Sequence, residues 1–507
     1  MGSIRKQTII SSLLVYFGFF IGFINMYFYT TKTPFFFYTE GNVFTPSQYA
    51  LTRIFFDFGQ IMFAFGSLGV IPVIYKFYPY YKDNLPEKNI DLLSWALLAS
   101  FIGFILVLWG GWYFQPLFIR KFSQNSQLVV DYYFWLFPFA MGMLFFSVIE
   151  SFCWAVHKSV ISNFLKETGL RILTTVLILL YYFKAIPFTY FIYLFAFQYL
   201  VVFLVLLGYL YKTGHLYLTF SISRVTRKFW KKIMGMQMLI FGGTFIAAIA
   251  ATIDSLIIAS LKGLTATGIF VFAQYAANLI QVPQRSIQSI SAGILSRAWK
   301  DKDYHEINRI YERSCINLLL MSLFIFGNIW LNVVDGMQVF NIQKDYSEGL
   351  GVLFILGMVR IIDAGTGLNA MVINTSTFWR FDFYSGVVLL AFRLPLTYYL
   401  IKHYGIIGSA FAELMAYSVY NFIRFEFLRR KFKMQPFTLK TIYSLLLAAG
   451  GYAFCYYLMK DINGWIGLLL RGTTFSLIMI TGIFYWKLTP DARQLYEVFL
   501  KRFNKKV

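Results

Sequence analysis

The chain is poor in charge. Of its 507 residues only 13% are charged, against 58% hydrophobic, whereas a soluble domain carries about 25% charged residues. Mean hydropathy is +0.62. Cysteine is also scarce. Cys153, Cys315 and Cys455 lie far apart in or beside apolar runs, with no CxxC and no Cys/His cluster. That spacing excludes a disulfide framework and a thiolate metal site and leaves free core thiols. There is no GxxxxGK[ST], so the chain holds no nucleotide-hydrolysing engine. HExxH and GxSxG are missing too, and no connection between apolar runs exceeds roughly 25 residues, so no soluble catalytic domain is inserted. The sequence predicts no catalytic residue, no cofactor and no metal.

What the chain has instead is a succession of apolar runs of about 20 residues, each long enough to cross a bilayer as a helix. Inside a bilayer every backbone polar group needs a partner, so runs of this length span as helices. A β-barrel would show alternating segments of about 10 residues instead. The sequence therefore predicts an all-α polytopic membrane protein. About 14 spans fall near 8–30, 48–75, 91–113, 128–152, 159–183, 188–211, 233–259, 266–294, 310–331, 349–373, 381–401, 406–428, 441–459 and 464–487. The first is too long and aromatic for a signal-peptide core and is read as a retained span. "MGSIRK" has no Ser or Thr at its sixth position, which argues against myristoylation.

The formal charge of +22 comes from 45 basic and 23 acidic residues. In a soluble protein this excess would suggest nucleic acid, but no recognition module is visible and the bases fall in alternate loops. "SRVTRKFWKK" (Ser223–Lys232), "SRAWKDKD" (Ser296–Asp303), "LRRKFK" (Leu428–Lys433) and the tail with Lys501, Arg502, Lys505 and Lys506 share one side. The opposite loops carry little beyond Lys32, Arg120 with Lys121, Lys184, Lys262, Lys344, Lys402 and Lys460. By the positive-inside rule both termini face the cytoplasm. An aromatic content of 21% suits a lipid-facing surface, though it exceeds what interfacial belts need. His157 and His403 fall at expected interfaces, and "NTS" at Asn374 lies in an inside loop, where a glycosylation match is coincidental.

The longest inside connection, roughly Lys212 to Lys232, divides the spans into six and eight, which suggests an internal repeat. Sliding the second half by 221 positions sets Arg53 on Gln274, Asp57 on Asn278, Gln60 on Gln281, Ser67 on Gln288 and Lys76 on Arg297, with Gly22 on Gly243. Two six-span lobes facing a cavity account for the match; coincidence in a biased composition is the alternative. The predicted organisation is an N-terminal lobe (1–215), a C-terminal lobe (216–435), and two additional spans with a basic tail (436–507).

"AQYAANLIQVPQRSIQS" (Ala273–Ser289) carries the main functional signal. Gln274, Asn278, Gln281, Arg285 and Gln288 recur at intervals of four and three, which places them within about 80° on one helix face. Amides alone can hold neighbouring helices together. A guanidinium among them favours a water-filled cavity, because lipid-facing charge is costly. Pro283 can kink this helix. Arg53 and Asp57, four apart, can pair along the second span. Arg53 would still offer a cation near the outer mouth, with Arg285 nearer the inner one. Guanidinium suits phosphate because its donors form a planar fork.

Other intramembrane charges have structural readings first. Lys166 can snorkel while Glu167 pairs with Arg171. Arg393 and Glu413 sit at matching depths on the two arms of a hairpin, as a static ion pair would. Arg360 and Asp363, three apart, are expected to pair with each other. Asp254 reads as an interfacial carboxylate. For Asp254, Asp363 and Glu413 the functional alternative is ion coupling.

The stretch Ala251–Asp303, with Asp254 near a span end, a short turn at Gly263, "TGIFVFA", Val282–Pro283 and the "RAWKDKD" loop, resembles the seventh and eighth spans of bacterial oligosaccharide and polysaccharide flippases. These form the polysaccharide-transport family of the multidrug/oligosaccharidyl-lipid/polysaccharide exporter superfamily. "YGIIGSAFAELMAYSV" (Tyr404–Val419) is similar to that family's hairpin into the twelfth span. The resemblance covers nearly the whole chain in span count. It implies two six-helix lobes plus two helices in a bacterial inner membrane. It also implies alternating-access transfer of a polyprenyl-pyrophosphate-linked oligosaccharide from the inner to the outer leaflet, for surface polysaccharide biosynthesis, with H⁺ or Na⁺ as a possible coupling ion. By that resemblance the first, second, seventh and eighth spans line the cavity. Arg53 and Arg285 would hold pyrophosphate or acidic sugar, and Asp57, Gln60 and the Gln/Asn stripe would complete the substrate site.

Three rivals stand beside this reading. A multidrug/cation antiporter of the same superfamily wants a net acidic cavity, whereas this lining carries two arginines. A lipid II flippase shares the substrate chemistry. A membrane-embedded polysaccharide polymerase usually needs a large outside loop, and none is present.

Overall fold

The computed structural model describes residues 2–34, 41–156 and 158–491, apart from the side chains of 2–13, 15, 16, 289, 290, 379 and 383. His157 and the basic tail residues Lys501, Arg502, Lys505 and Lys506 lie outside the described residues. The elements in chain order are α1 (Gly2–Thr30), α2 (Pro46–Gly66), α3 (Val70–Asn84), α4 (Leu92–Phe122), α5 (Gln127–Asp131), α6 (Leu136–Ala155) and α7 (Ser159–Asn163). A π-helical stretch (Phe164–Gly169) then leads into α8 (Leu170–Tyr182), α9 (Phe188–Lys212) and α10 (Arg224–Asn278). The remaining helices are α11 (Val282–Lys300), α12 (Tyr304–Val339), α13 (Leu350–Gly365), α14 (Asn369–Asn374), α15 (Trp379–Tyr404), α16 (Ile406–Phe432), α17 (Leu439–Met459) and α18 (Gly464–Tyr485).

Among the described residues nine helices are long and apolar enough to cross a membrane, or ten if α2 and α3 form one bent span. The chain is a multi-pass helical membrane protein. The difference from about fourteen expected spans has three sources: the first span counts only from Phe17, the seventh and eighth fall in one helical run, and three spans are bent or split. α2 and α3 meet at 48°, because Gly69 adopts a left-handed φ of 76° that only glycine takes freely. The fifth span is split by the π-helical stretch, and the tenth is split into α13 and α14. α10 is two helices, the expected seventh span and the start of the eighth, which meet at the turn expected at Gly263, where φ is 91° and ψ is 173°.

The chain divides into two compact units, 1–268 and 269–507. Residues 224–268 are packed with the first six spans. In unit 1 the capping box of Thr45 and Gln48, with Pro46 at the first helical position, starts α2 cleanly. α6 packs against α2, α3 and α9. Close approach is set by glycine: a Cβ on Gly103 would lie 2.2 Å from the Gly66 carbonyl, and one on Gly142 2.5 Å from the Leu200 nitrogen. Small residues let backbones meet in this way when lipid removes the hydrophobic driving force. The core of unit 1 is largely aromatic. Phe139 stacks on Phe195 at 5.6 Å and meets Phe55 edge-on at 5.8 Å, and all three are buried. Much of the aromatic excess is therefore core packing.

In unit 2, α13 and α15 pack on α16, and α17 and α18 pack on α12. Phe475 of α18 fills the site opposite Gly327, where a Cβ would lie 2.3 Å from the ring. Arg471 of α18 pairs with Asp335 of α12, both buried. Cys153, Cys315 and Cys455 are free and buried, as expected.

Candidate functional site

Unit 1 contributes a charged pair on α2. Arg53 and Asp57 pair along one turn, Nε to Oδ1 at 3.1 Å, as their spacing predicts. Asp57 is buried while Arg53 stays 39% exposed. The Ser255 hydroxyl from α10 donates to the other Asp57 oxygen. Asp57 is thus held from two helices and grips Arg53 at Nε. The two terminal nitrogens of Arg53 make no hydrogen bond among the described residues. They form the outward half of a guanidinium fork, which suits an anion. Gln60 is exposed one turn on. Asp254 is buried next to Ser255.

In unit 2 the polar stripe is interrupted. α10 ends at Asn278, Leu279–Gln281 form a 3₁₀ turn, and Pro283 sits in the first turn of α11. The stripe thus straddles a break in its span. Gln274, Asn278, Arg285 and Gln288 make no hydrogen bond or ion pair among the described residues, and Arg285 is exposed. Gln281 is committed. Its amide donates to Asp363 Oδ2 of α13 at 3.0 Å, which is the helix-joining role open to any stripe amide.

Asp363 is the centre of a cluster the spacing did not show. Gln284 donates to the same oxygen at 3.2 Å, and Asn421 of α16 donates to Oδ1 at 3.2 Å. Asn421 in turn accepts from Thr366 at 3.0 Å and Asn369 at 2.9 Å. A carboxylate is here satisfied by amides and forms no salt bridge among the described residues. The break between α10 and α11, the end of α13 and the middle of α16 therefore meet on one oxygen-rich point.

The expected Arg360–Asp363 pair does not form. Arg360 instead reaches Glu413 of α16 at 2.9 Å, and Arg393 of α15 approaches the same carboxylate at 3.4 Å. All three side chains are buried. Residues three apart on a helix diverge by about 60°, and Asp363 turns to the amides while Arg360 turns to α16. The Arg393–Glu413 contact matches the expected static pair, with Arg360 as an unforeseen third member. In unit 1, Arg171 pairs with Glu167 at 3.0 Å as expected. Lys166, expected to snorkel, reaches buried Glu150 of α6 at 2.9 Å instead. Glu150 carried no periodic signal in the sequence. No cluster of three or more metal-ligating side chains occurs among the described residues.

No protein-family model and no curated protein sequence matches the chain. Its fold is similar to those of solved membrane transporters, among them members of the MOP superfamily. A MurJ lipid II flippase in an inward closed conformation superposes with a TM-score of 0.72 over 95% of this chain and 99% of that one, at 14% identity. An inward-facing multidrug-resistance transporter of the MATE family follows at 0.60, covering 76% of this chain and 91% of that one, also at 14% identity. A MOP-superfamily transporter from Pyrococcus furiosus superposes at 0.55, covering 84% of this chain and 95% of that one, at 12% identity. At these identities the likeness establishes the fold alone.

Proposed function

We propose that the chain is a flippase that carries a polyprenyl-pyrophosphate-linked oligosaccharide from the inner to the outer leaflet of a bacterial inner membrane by alternating access, for surface polysaccharide biosynthesis. Its termini lie in the cytoplasm, and its spans form two pseudo-symmetric lobes, 1–215 and 216–435, followed by two helices. The observation that carries the reading is the unequal treatment of intramembrane charge. Arg360, Arg393, Arg424 and Arg471 are each matched to a buried or half-buried carboxylate. Arg285 forms no ion pair among the described residues, and Gln274 and Asn278 before the 3₁₀ turn and Gln288 after it make no hydrogen bond among them. An unmatched cation beside idle amides suits a phosphate followed by sugar hydroxyls. Arg53, Asp57 and Gln60 supply the corresponding group in the first unit. Asp363, with the amides of Gln281, Gln284 and Asn421 around it, is the carboxylate we assign to H⁺ or Na⁺ coupling.

The lipid II reading keeps one specific support, the 0.72 TM-score with the MurJ structure. The two substrates share the pyrophosphate and differ in the sugar. The test is transfer of a fluorescent lipid-linked oligosaccharide in vesicles containing the full chain. Arg285→Ala and Asn278→Ala should slow it on the order of tenfold, the worth of a hydrogen bond to a charged group. Undiminished transfer by both variants overturns the site. The lipid-linked sugar that accumulates in cells lacking the protein then separates oligosaccharide from lipid II.

A further inference from the structure

Unit 1 contains an apolar cavity of about 330 Å³ apart from these charged sites. It lies between α4 and the first half of α10, with Leu68, Val70 and Val73 at the α2–α3 bend as its third wall. α10 is pinned to its neighbours at two levels. At the lower level buried Asp91 accepts from the Ser223 amide at 2.9 Å and the Thr226 hydroxyl at 2.7 Å, and Tyr81 meets Thr226 at 2.8 Å. At the upper level the backbone of Gly69 packs so closely on α10 that a Cβ there would lie 2.4 Å from the Gln237 carbonyl. Between these pins α4 presents only alanine at positions 96 and 99, and the gap stays open.

The gap is a groove of defined length. On α4 it runs from Leu92 to Ile102, which at 1.5 Å per residue is about 15 Å. That is half of the roughly 30 Å hydrocarbon core, the depth of one leaflet. It opens sideways past Ile102, Trp230 and Met234, each 45–53% exposed. From its lower mouth to mid-height, beside the wall residues Thr226 and Trp230, α10 carries Arg224, Arg227, Lys228, Lys231 and Lys232, and none of them forms a salt bridge among the described residues. The Lys231 ammonium sits 5.9 Å from the Trp230 ring, on the groove wall.

We propose that this groove is a binding site for an anionic phospholipid of the cytoplasmic leaflet, with one acyl chain between α4 and α10 and the headgroup phosphate on Arg227 and Lys231. Charge complementarity selects the headgroup, because cations that no acid neutralises attract anionic lipid. The groove's length fits a chain confined to one leaflet. The site would hold α10 at a fixed distance from α4, and lipid composition would act on the protein there.

The test uses the full chain in phosphatidylcholine vesicles holding a minor fraction of phosphatidylglycerol with a brominated acyl chain, which quenches nearby tryptophan fluorescence. Trp95 and Trp230 both line the groove, so the signal is the quenching lost in Trp95→Phe. We expect brominated phosphatidylglycerol to quench at concentrations on the order of tenfold lower than brominated phosphatidylcholine. Arg227→Glu with Lys231→Glu should abolish that preference, and Ala99→Phe should reduce quenching by both lipids. Equal quenching of the unmodified protein by the two lipids means ordinary boundary lipid and overturns the proposal. So does preferential quenching by a brominated polyprenyl phosphate, which would make the groove a resting place for the transported tail. The lipid comparison needs no variant to fold.

Discussion

Glu413 balances two guanidinium groups, so its removal should damage the protein more than removal of either arginine. Its side chain is 2% exposed, and Arg360 and Arg393 are each 7% exposed. Glu413→Ala removes the carboxylate that these two buried guanidinium groups share. Breaking a buried pair by deleting one partner costs about 3–5 kcal/mol. At about 2 °C per kcal/mol for a unit of this size, the melting temperature should fall by roughly 6–10 °C. Arg360→Ala should cost less, because Arg393 remains to hold the carboxylate. Arg393→Ala should cost least, since its contact is 3.4 Å against 2.9 Å. Replacing all three residues by leucine or methionine should recover most of the loss, because a buried ionic group can be exchanged for apolar packing at little cost. The assay is thermal unfolding of the detergent-purified full chain followed by size-exclusion chromatography. A wild-type melting temperature for Glu413→Ala, or a triple variant less stable than Glu413→Ala, would refute this account of the cluster.

Three further outcomes are expected. Gly69→Val should lower stability by about 1–3 kcal/mol, the cost of overpacking, since it meets α10 backbone at 2.4 Å and needs a left-handed φ; a denaturant midpoint in detergent measures it. Asn421→Leu removes the amide that holds Asp363 from α16 and receives Thr366 and Asn369. Ion dependence of transport should shift while membrane abundance stays normal, and an unchanged dependence removes Asp363 from coupling. Gly327→Leu should displace Phe475 and expose the α12–α18 seam to protease, detected as a new cleavage product.

The spans were legible because apolar length is a property of local sequence, and the stripe because helical spacing is. Each was limited by what one helix can reveal. Gln284 lies off the ideal face of the stripe. The Leu279–Gln281 turn winds at about 120° per residue in place of 100°, so it changes which side chains α11 aims at Asp363. Arg360 and Asp363 look like partners in sequence, but α16 offers Arg360 a carboxylate and offers Asp363 an amide. No periodicity on α13 encodes what stands across from it. The first unit's aromatic core was visible only as an excess in composition, since phenylalanine facing phenylalanine and phenylalanine facing lipid read alike. Glu150 is the single charged residue in an apolar run, and its partner Lys166 lies within a π-helical stretch that spacing rules do not anticipate.

The Arg471–Asp335 pair bears on how the chain enters the membrane. An arginine near the centre of a helix raises the cost of inserting it by about 2.5–3.5 kcal/mol, and α18 carries Arg471 about 10 Å in from its first residue, Gly464. α12 is synthesised earlier and brings Asp335. The acid therefore waits in the bilayer for its base, and α18 has a reason to integrate next to α12. A shorter relative ending after α16 would be expected to carry an uncharged residue where Asp335 stands, and truncation of this chain at that point should leave a protein that inserts but is degraded.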